Sequence, residues 1–350
     1  MRDKDLKVCI YNGGWNLIKK SGIGKAIEHQ TEIIKHQGIS VIKRKFWRAD
    51  IVHLNTVFPD SVFVALITKL LGGKVIYYAH STMEDFRNSF VGSNVLAPFF
   101  KKWICFCYAL GDVIITPTEY SKRILETYGI QKPIFAVSNG IDNSFWGNKR
   151  SANEDMKKIF LEKYHIPAGK KIVMSVGHYI ERKGILDFIE TAGKNQNMTF
   201  IWFGYTDPKL IPPEIRNAIR YAPDNLIFAG YVDSEELKKA YDFCDVFLFM
   251  SYEETEGIVV LEAMASGIPV IVRDIPVYEG WLKNGFNAYK FRSEEDTANM
   301  IQSVLENDMN YIMENARYTA GERDYIRIGE RMMRMYHEVI IRKFYYKGCL

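Results

Sequence analysis

The chain predicts an α/β protein built from two doubly wound domains, and three observations carry that prediction. Short apolar runs alternate with helical stretches along nearly all of its 350 residues, the rhythm of βαβ units whose parallel strands are covered on both faces. The rhythm breaks once, over the polar, lysine-rich residues 147–158, and then restarts. A chain of 350 residues suffices for two domains that each bury a core.

In the first half, strands are expected at 7–11, 51–54, 75–79, 113–116 and 134–137. Helices are expected between them near 24–36, 61–71, 94–110 and 119–127. The break at 147–158 is the connection, which gives a first domain of residues 1–150 and a second of 151–329. In the second half, strands are expected at 172–175, 199–203, 226–229, 246–249, 270–272 and 288–291. Helices are expected over 184–192, 234–243 and 257–265, and helical pattern fills 294–344. After the strand at 246–249, Ser266-Gly267 stops the short helix and Pro269 opens the next strand.

Composition narrows the function. Hydrophobic and charged fractions of 47% and 25% belong to a soluble globular protein, and a net charge of +4 gives no argument for nucleic acid. The last helix carries Arg327, Arg331, Arg334, Arg342, Lys343 and Lys347, which suits a solvated face or a membrane-surface face. Five cysteines (Cys9, Cys105, Cys107, Cys244, Cys349) without CxxC spacing fit a reduced, cytoplasmic setting. The charged start MRDKDLKVCIY shows no signal peptide, and no apolar run approaches the ~20 residues of a spanning helix.

The chemistry gathers where strands give way to helices. The loop after 246–249 holds Glu253, Glu254 and Glu256, then Gly257 and a helix start. That end favours negative charge, whereas the carboxylates suit sugar hydroxyls. Residues 175–184, SVGHYIERKG, end another strand with Arg182 and Lys183 at a helix start, a pair suited to a diphosphate or simply to solvent. His53 and His80 fall at adjacent strand ends in the first half, as structural residues or as lining of a cleft. The Gly-rich turns Asn12-Gly13-Gly14-Trp15 and Ser21-Gly22-Ile23-Gly24 lack the dinucleotide fingerprint: Gly22-x-Gly24 is followed by Ile27, well beyond the strand end. A nicotinamide oxidoreductase is therefore excluded.

These motifs together resemble retaining glycosyltransferases of family 4. SYEETEGIVVLEAMASGIPVI is similar to that family's E-x7-E segment, VGHYIERKG to its phosphate-binding segment, and SNGID to the close of its first domain. DVIITPTEYSK and IFAGYVDSEELKKAYDFCDVFLFMS match its spacing as well. The resemblance implies the GT-B fold, two Rossmann-like domains facing across a cleft, with a carboxy-terminal helix of about 330–350 crossing back to the first, acceptor-binding domain. It implies that Glu262 binds the ribose and that Glu254 meets the donor sugar. The amides of Gly257, Ile258, Val259 and Val260 would hold sugar and diphosphate, and Arg182 and Lys183 would neutralise the leaving phosphates. His80 would stand beside the donor sugar, Gly22 and Ile23 would close on the phosphate, and Tyr231 and Val232 would hold the base. Glu253 and Glu256 become solvent-facing or capping residues. His178 stands where the family commonly has arginine, and residues 273–279 replace its usual glycine pair.

The implied reaction moves a hexose from a UDP-sugar to a hydroxyl with retention. No metal is expected, because the only D-x-D is Asp3-Lys-Asp5 near the amino terminus. SGIGKAIEHQ, YYAHSTMEDFRNSF and RDIPVYEGWL resemble bacterial glucosyltransferases that add a second sugar to monoglucosyl-diacylglycerol, which implies UDP-glucose and a glycolipid acceptor. In the helix at 94–110, Phe99, Phe100, Lys101, Lys102 and Trp103 suit either a core helix with surface lysines or docking on an anionic membrane. The enzyme is then peripheral on the inner face of the cell membrane. A polysaccharide or cell-wall precursor is the alternative acceptor, and a non-catalytic nucleotide-sugar-binding partner the alternative class.

Overall fold

The computed structural model describes residues 6–42, 45–148 and 153–345, with side chains at 294, 295 and 339–345 excluded. Asp3, Asp5, Lys347 and Cys349, and the side chains of Arg342 and Lys343, lie outside the described residues.

Six strands make the first sheet: β1 (Lys7–Tyr11), β2 (Ser40–Ile42), β3 (Ile51–Leu54), β4 (Lys74–Tyr78), β5 (Val113–Thr116) and β6 (Ile134–Ala136). Their order is β2-β1-β3-β4-β5-β6, all parallel. A second sheet holds β7 (Ile172–Val176), β8 (Thr199–Phe203), β9 (Leu226–Gly230), β10 (Val246–Phe249), β11 (Val270–Arg273) and β12 (Tyr289–Phe291). Its order is β12-β11-β10-β7-β8-β9, again all parallel. Strand order reverses between β1 and β3 in one sheet and between β7 and β10 in the other. At such a reversal neighbouring loops leave in opposite directions and open a crevice at the carboxyl ends.

Side-chain parity puts a core on each face of the first sheet. Val8 and Ile10 join Ile27, Ile33 and Ile34 of the helix Gly22–His36 on one face. Cys9 joins Val52, Val75, Tyr77 and Ile104 on the other. The first face is completed by the final helix, Tyr325–Tyr345, through Tyr325, Ile328, Met332, Met335 and Tyr336. Arg327, Arg331 and Arg334 lie exposed on that helix, away from the core. The second sheet packs Val173, Phe200, Trp202 and Leu248 against Ile185, Phe188 and Ile301.

The chain forms two compact units. One comprises Met1–Glu84, Leu96–Asp142 and Arg323–Leu350, the other Asp85–Val95 and Asn143–Glu322. The division falls before residue 147, where composition changes, and residues 85–95 of the first half join the second unit. The helix Glu154–Lys163 begins inside the expected connection, capped by Asn153, whose side chain accepts from Asp155 N at 2.9 Å. Strand β2 escapes sequence reading because it is a half-exposed edge of three residues. The helical pattern of 294–344 resolves into Glu294–Glu306, Asn310–Gly321 and Tyr325–Tyr345.

Candidate active site

The reversal of the second sheet places the loop after β7 beside the loop after β10, and these loops carry the expected donor-site residues. After β7 the chain makes a single 3-10 turn, Glu181–Lys183, and enters the helix Ile185–Lys194 through Gly184. Gly184 has φ +71, and a Cβ there would stand 2.2 Å from the Met250 carbonyl oxygen. Only glycine lets the two loops approach this closely.

Across that approach Lys183 pairs with Glu254 Oε1, which also accepts from Ser251 Oγ at 2.7 Å. Glu254 is only 7% exposed. Burial alone would raise its carboxyl, but Lys183 and Arg182 outweigh burial and hold it below the usual carboxylate value. Burial pulls the Lys183 ammonium down, and Glu254 pulls it back up. Because both partners donate to a shared carboxylate oxygen, the ionised pair is the state that fits.

Arg182 is not the free phosphate cation the sequence suggested. Its Nη1 lies 2.9 Å from Asp85 and donates to the Glu253 carbonyl at 2.7 Å, and its Nε donates to Ser89 Oγ at 3.3 Å. Glu254 is 3.9 Å away. Residues 85–95 thus wrap this turn, and the Arg182 amide donates to Asn88 O at 3.3 Å. Burial raises the Asp85 carboxyl and Arg182 opposes that rise. Asp85, Ser89 and Ser251 are site residues that sequence reasoning missed. The signal for Asp85 and Ser89 was the polar run MEDFRNSF at 83–90, shortly after His80, and Ser251 opens the acidic loop itself.

After Glu254 the chain turns at Gly257, φ +87, into the helix Ile258–Ser266, whose amino end has no side-chain cap. The Val260 amide donates to Gly257 O at 2.9 Å, so it is spent inside the turn, and the expected anion cradle contracts to the amides of Gly257, Ile258 and Val259. Glu262, 2% exposed, lies eight residues beyond Glu254 in the helix Ile258–Ser266, with Tyr241 Oη 3.5 Å from its carboxylate. Burial and Glu262 push that phenol well above its usual value, keeping it a donor. Two readings of the acidic loop need correction. Glu256 is 1% exposed and therefore not solvent-facing, and Glu253 is half-buried and contributes its carbonyl to Arg182. The loop folds under itself, which carboxylate spacing alone does not reveal.

His178 lies 2.8 Å through Nδ1 from the Tyr205 carbonyl. Burial lowers its pKa, with Lys183 and Arg182 adding to the effect, so it is a neutral group at pH 7 and no substitute for arginine. Tyr231 is exposed and Val232 half-buried just past β9. The residues that replace the glycine pair form a brace. Arg273 pairs with Asp187, donates to Met250 O at 3.1 Å and lies 3.9 Å over the Tyr252 ring. Asp274 bridges Lys290 at 2.7 Å and Arg292 at 2.9 Å.

The remaining expected residues belong to the first unit. His80, 7% exposed, lies 2.9 Å through Nε2 from Asn55 Oδ1 and stacks on Tyr78 at 4.5 Å. Burial, with His53 adding, lowers its pKa to about 3, so it is a neutral imidazole. His53 is fully buried with Nδ1 3.4 Å from Tyr336 Oη. Gly22 and Ile23 begin the helix Gly22–His36, and the Gly22 Cα faces open space. In the helix Ser93–Ala109, Phe99 (69% exposed), Lys102 and Trp103 are exposed while Phe100 is half-buried. Lys101 lies 4.2 Å over the Tyr128 ring, and Trp103 Nε1 donates to Val57 O at 2.7 Å. Among the described residues no group of three His, Cys, Asp or Glu side chains is placed to hold a metal. No described helix is long and apolar enough to cross a membrane.

Comparisons with known proteins bear on the family and the fold. The family described as "Glycosyl transferases group 1" matches residues 156–322, and "Glycosyltransferase Family 4" matches residues 36–145. The processive diacylglycerol alpha-glucosyltransferase of Acholeplasma laidlawii is 39% identical over 338 residues, 96% of this chain and 99% of that protein. An alpha-monoglucosyldiacylglycerol synthase of Streptococcus pneumoniae is 24% identical over 306 residues, 85% of this chain and 68% of that one. Among solved structures, sucrose-phosphate synthase from Thermosynechococcus elongatus superposes with a TM-score of 0.77 at 15% identity, covering 96% of this chain and 100% of that one. Anabaena HepE in complex with UDP and glucose gives 0.75 at 15% identity, covering 94% and 98%. These two share the fold, the GT-B arrangement of two parallel α/β sheets.

Proposed function

The chain belongs to the group 1 and family 4 glycosyltransferases, and from that premise we propose that it moves glucose from UDP-glucose to a glycosylated diacylglycerol with retention at the anomeric carbon. The observation that carries the acceptor is the 39% identity, along 96% of the chain, to a protein named as a processive diacylglycerol alpha-glucosyltransferase. The donor site is the reversal of the second sheet. Lys183 and the helix start at Gly257 favour the diphosphate, Glu262 takes the ribose hydroxyls and Glu254 the hexose hydroxyls. Tyr231 and Val232 hold the base. In the first unit, His80 is a neutral imidazole suited to a hydrogen bond with a sugar hydroxyl.

Lys183 is held by Glu254 and Arg182 by Asp85. The arriving diphosphate draws Lys183, and Glu254 turns to the sugar. The bond from C1 to the β-phosphate oxygen then breaks as the acceptor oxygen bonds C1 from the same face. The acceptor proton passes to the departing phosphate oxygen. Glu254 positions and stabilises, and the electrostatic set lowers the barrier by being fixed in advance. No step needs a metal. Turnover unchanged in chelator supports that statement, and loss restored by manganese overturns it.

The acceptor is met at a membrane surface by a peripheral protein on the inner face of the cell membrane. Support comes from the exposed stripe Leu96, Phe99, Trp103 and Phe106 at helical spacing, with Lys102 beside it. The test is a mass-spectrometric screen of UDP-glucose and UDP-galactose against diacylglycerol, monoglucosyl-diacylglycerol and soluble saccharides. Addition of one hexose to the glycolipid is the expected result, and transfer only to soluble saccharides sinks the acceptor assignment.

A further inference from the structure

A tyrosine hydroxyl buried without a partner forfeits its bonds to water, so buried phenols are normally paired. The rule holds at Tyr77, Tyr78, Tyr108 and Tyr241. Tyr108 Oη donates to Ser81 O at 2.8 Å, Tyr241 Oη to Val259 O at 3.2 Å, and the other two donate to the carbonyls of Thr56 and Val137. Tyr278 breaks it. Its side chain is fully buried, and its Oη has no hydrogen-bond partner among the described residues.

The exception is not a loose fit. Tyr278 closes the single 3-10 turn Pro276–Tyr278, in the stretch that replaces the usual glycine pair. Its ring lies edge-on to Trp281 at 5.5 Å, its amide donates to Ile275 O at 3.1 Å, and its carbonyl accepts from the Leu282 amide at 3.0 Å. Trp281 is fixed in turn: Nε1 donates to Val277 O at 2.8 Å, and its carbonyl accepts from Asn287 Nδ2 at 2.8 Å. The hydroxyl so held lies against the donor loop. A Cβ on Gly257 would stand 3.4 Å from Oη, at the turn between Glu254 and the helix Ile258–Ser266. All of these residues belong to the second unit. Burial, with the nearby Glu254 carboxylate adding, pushes the phenol well above its ordinary value, so it stays protonated and can only donate to an anion.

Glu254 offers the complementary group. Both hydrogen bonds it accepts, from Lys183 and from Ser251 Oγ at 2.7 Å, go to Oε1, which leaves Oε2 for a further donor. A buried carboxylate that loses its counter-charge needs other hydrogen bonds to remain ionised. The arriving diphosphate draws Lys183 away at the stage when Glu254 must stay charged beside the sugar. Tyr278 carries the unused hydrogen at that place.

On the donor-site reading above, we infer that Tyr278 is a positioning residue: its hydroxyl, unpaired while Lys183 holds Glu254, bonds the Glu254 carboxylate once the diphosphate has taken Lys183. Tyr278→Phe tests this by deleting one oxygen. Rates of wild type, Tyr278→Phe, Glu254→Gln and the double variant are measured with UDP-glucose, with and without monoglucosyl-diacylglycerol in mixed micelles. The melting temperature and the Kd for UDP are read alongside. Tyr278→Phe melts at or above the wild-type temperature, because it removes an unpaired buried hydroxyl, and it binds UDP within twofold of wild type. Its kcat falls about tenfold, the scale of one hydrogen bond to a charged group, while the UDP-glucose KM changes less than threefold. In the Glu254→Gln background the same substitution lowers kcat less than twofold, since the charge it serves is gone. An unchanged kcat overturns the inference, as does an equal loss in both backgrounds. A melting temperature lowered by several degrees also overturns it, because the hydroxyl is then already paired, as through a trapped water. Wild type that transfers to no glycolipid contradicts the acceptor reading instead, and the comparison is then read on acceptor-free UDP release. Wild type that turns over no UDP-glucose in either assay overturns the donor reading and this inference with it.

Discussion

At the scale of single residues, the roles proposed for Glu254 and Glu262 separate cleanly. Glu262→Ala removes a ribose acceptor and weakens UDP binding about tenfold or more in calorimetry, with a smaller effect on kcat. Glu254→Gln cuts kcat and leaves UDP affinity within a few-fold, and the same phenotype from both variants contradicts this division. Glu254→Gln also leaves Lys183 without its counter-charge, which costs roughly 3 kcal/mol of stability. The folded carboxyl lies below its unfolded value of about 4.3. Its pairing therefore stabilises the fold above that pH and is lost as pH falls through the folded value. The stability gap between wild type and Glu254→Gln in urea titrations accordingly closes in acid. A gap that persists there shows that the pair is not the source. The placing of Glu254 and Lys183 in loops at strand ends was legible in the sequence because strand ends announce themselves, whereas Glu262 entered only through the resemblance to the E-x7-E segment. The burial of Glu256 and the capture of Arg182 by Asp85 were not legible, because both depend on distant chain segments meeting.

At the scale of elements, one helix entry and two helix faces matter most. Gly184→Ala forces a Cβ against the Met250 carbonyl in a positive-φ turn, which costs on the order of 1–3 kcal/mol and spreads the two donor loops. Lower thermal stability together with a higher UDP-glucose KM is the expected pair of changes, and a neutral variant contradicts the close approach. The final helix buries Met332 in the core of the first unit, so Met332→Ala lowers stability by about 2–5 kcal/mol, read by urea unfolding. On the helix Ser93–Ala109, Phe99→Ser with Phe106→Ser removes exposed apolar surface and reduces co-sedimentation with anionic vesicles at low salt. Undiminished binding moves the membrane face elsewhere. Apolar runs identified eleven of the twelve strands among the described residues, because buried parallel strands are continuous in hydrophobicity. They could not reveal how the aromatic helix divides between core and solvent, since Phe100 and Phe99 are adjacent in sequence and differ only in what packs on them.

At the scale of the molecule, the two units carry different acid sensitivities. His29, His53 and His80, all in the first unit, are buried, and burial lowers each to about 3. Unfolded imidazoles take protons near 6.5, so between about pH 3 and 6.5 the unfolded chain binds more protons and stability falls as pH drops. Three such groups give a slope of up to about 4 kcal/mol per pH unit. Hydrogen exchange followed from neutral to mildly acidic pH should show the first sheet losing protection before the second; simultaneous loss contradicts this. The sheets, their parallel sense and the family were legible along the whole chain, and the membership of residues 85–95 in the second unit was not. The central claim is retaining transfer of glucose to a glycolipid. Its most direct test is proton NMR of the product formed from UDP-glucose and monoglucosyl-diacylglycerol. The expected product is a diglucosyl lipid whose new linkage shows the small anomeric coupling of an α-glucoside. A β-linkage, or release of UDP with no glycolipid product, contradicts it.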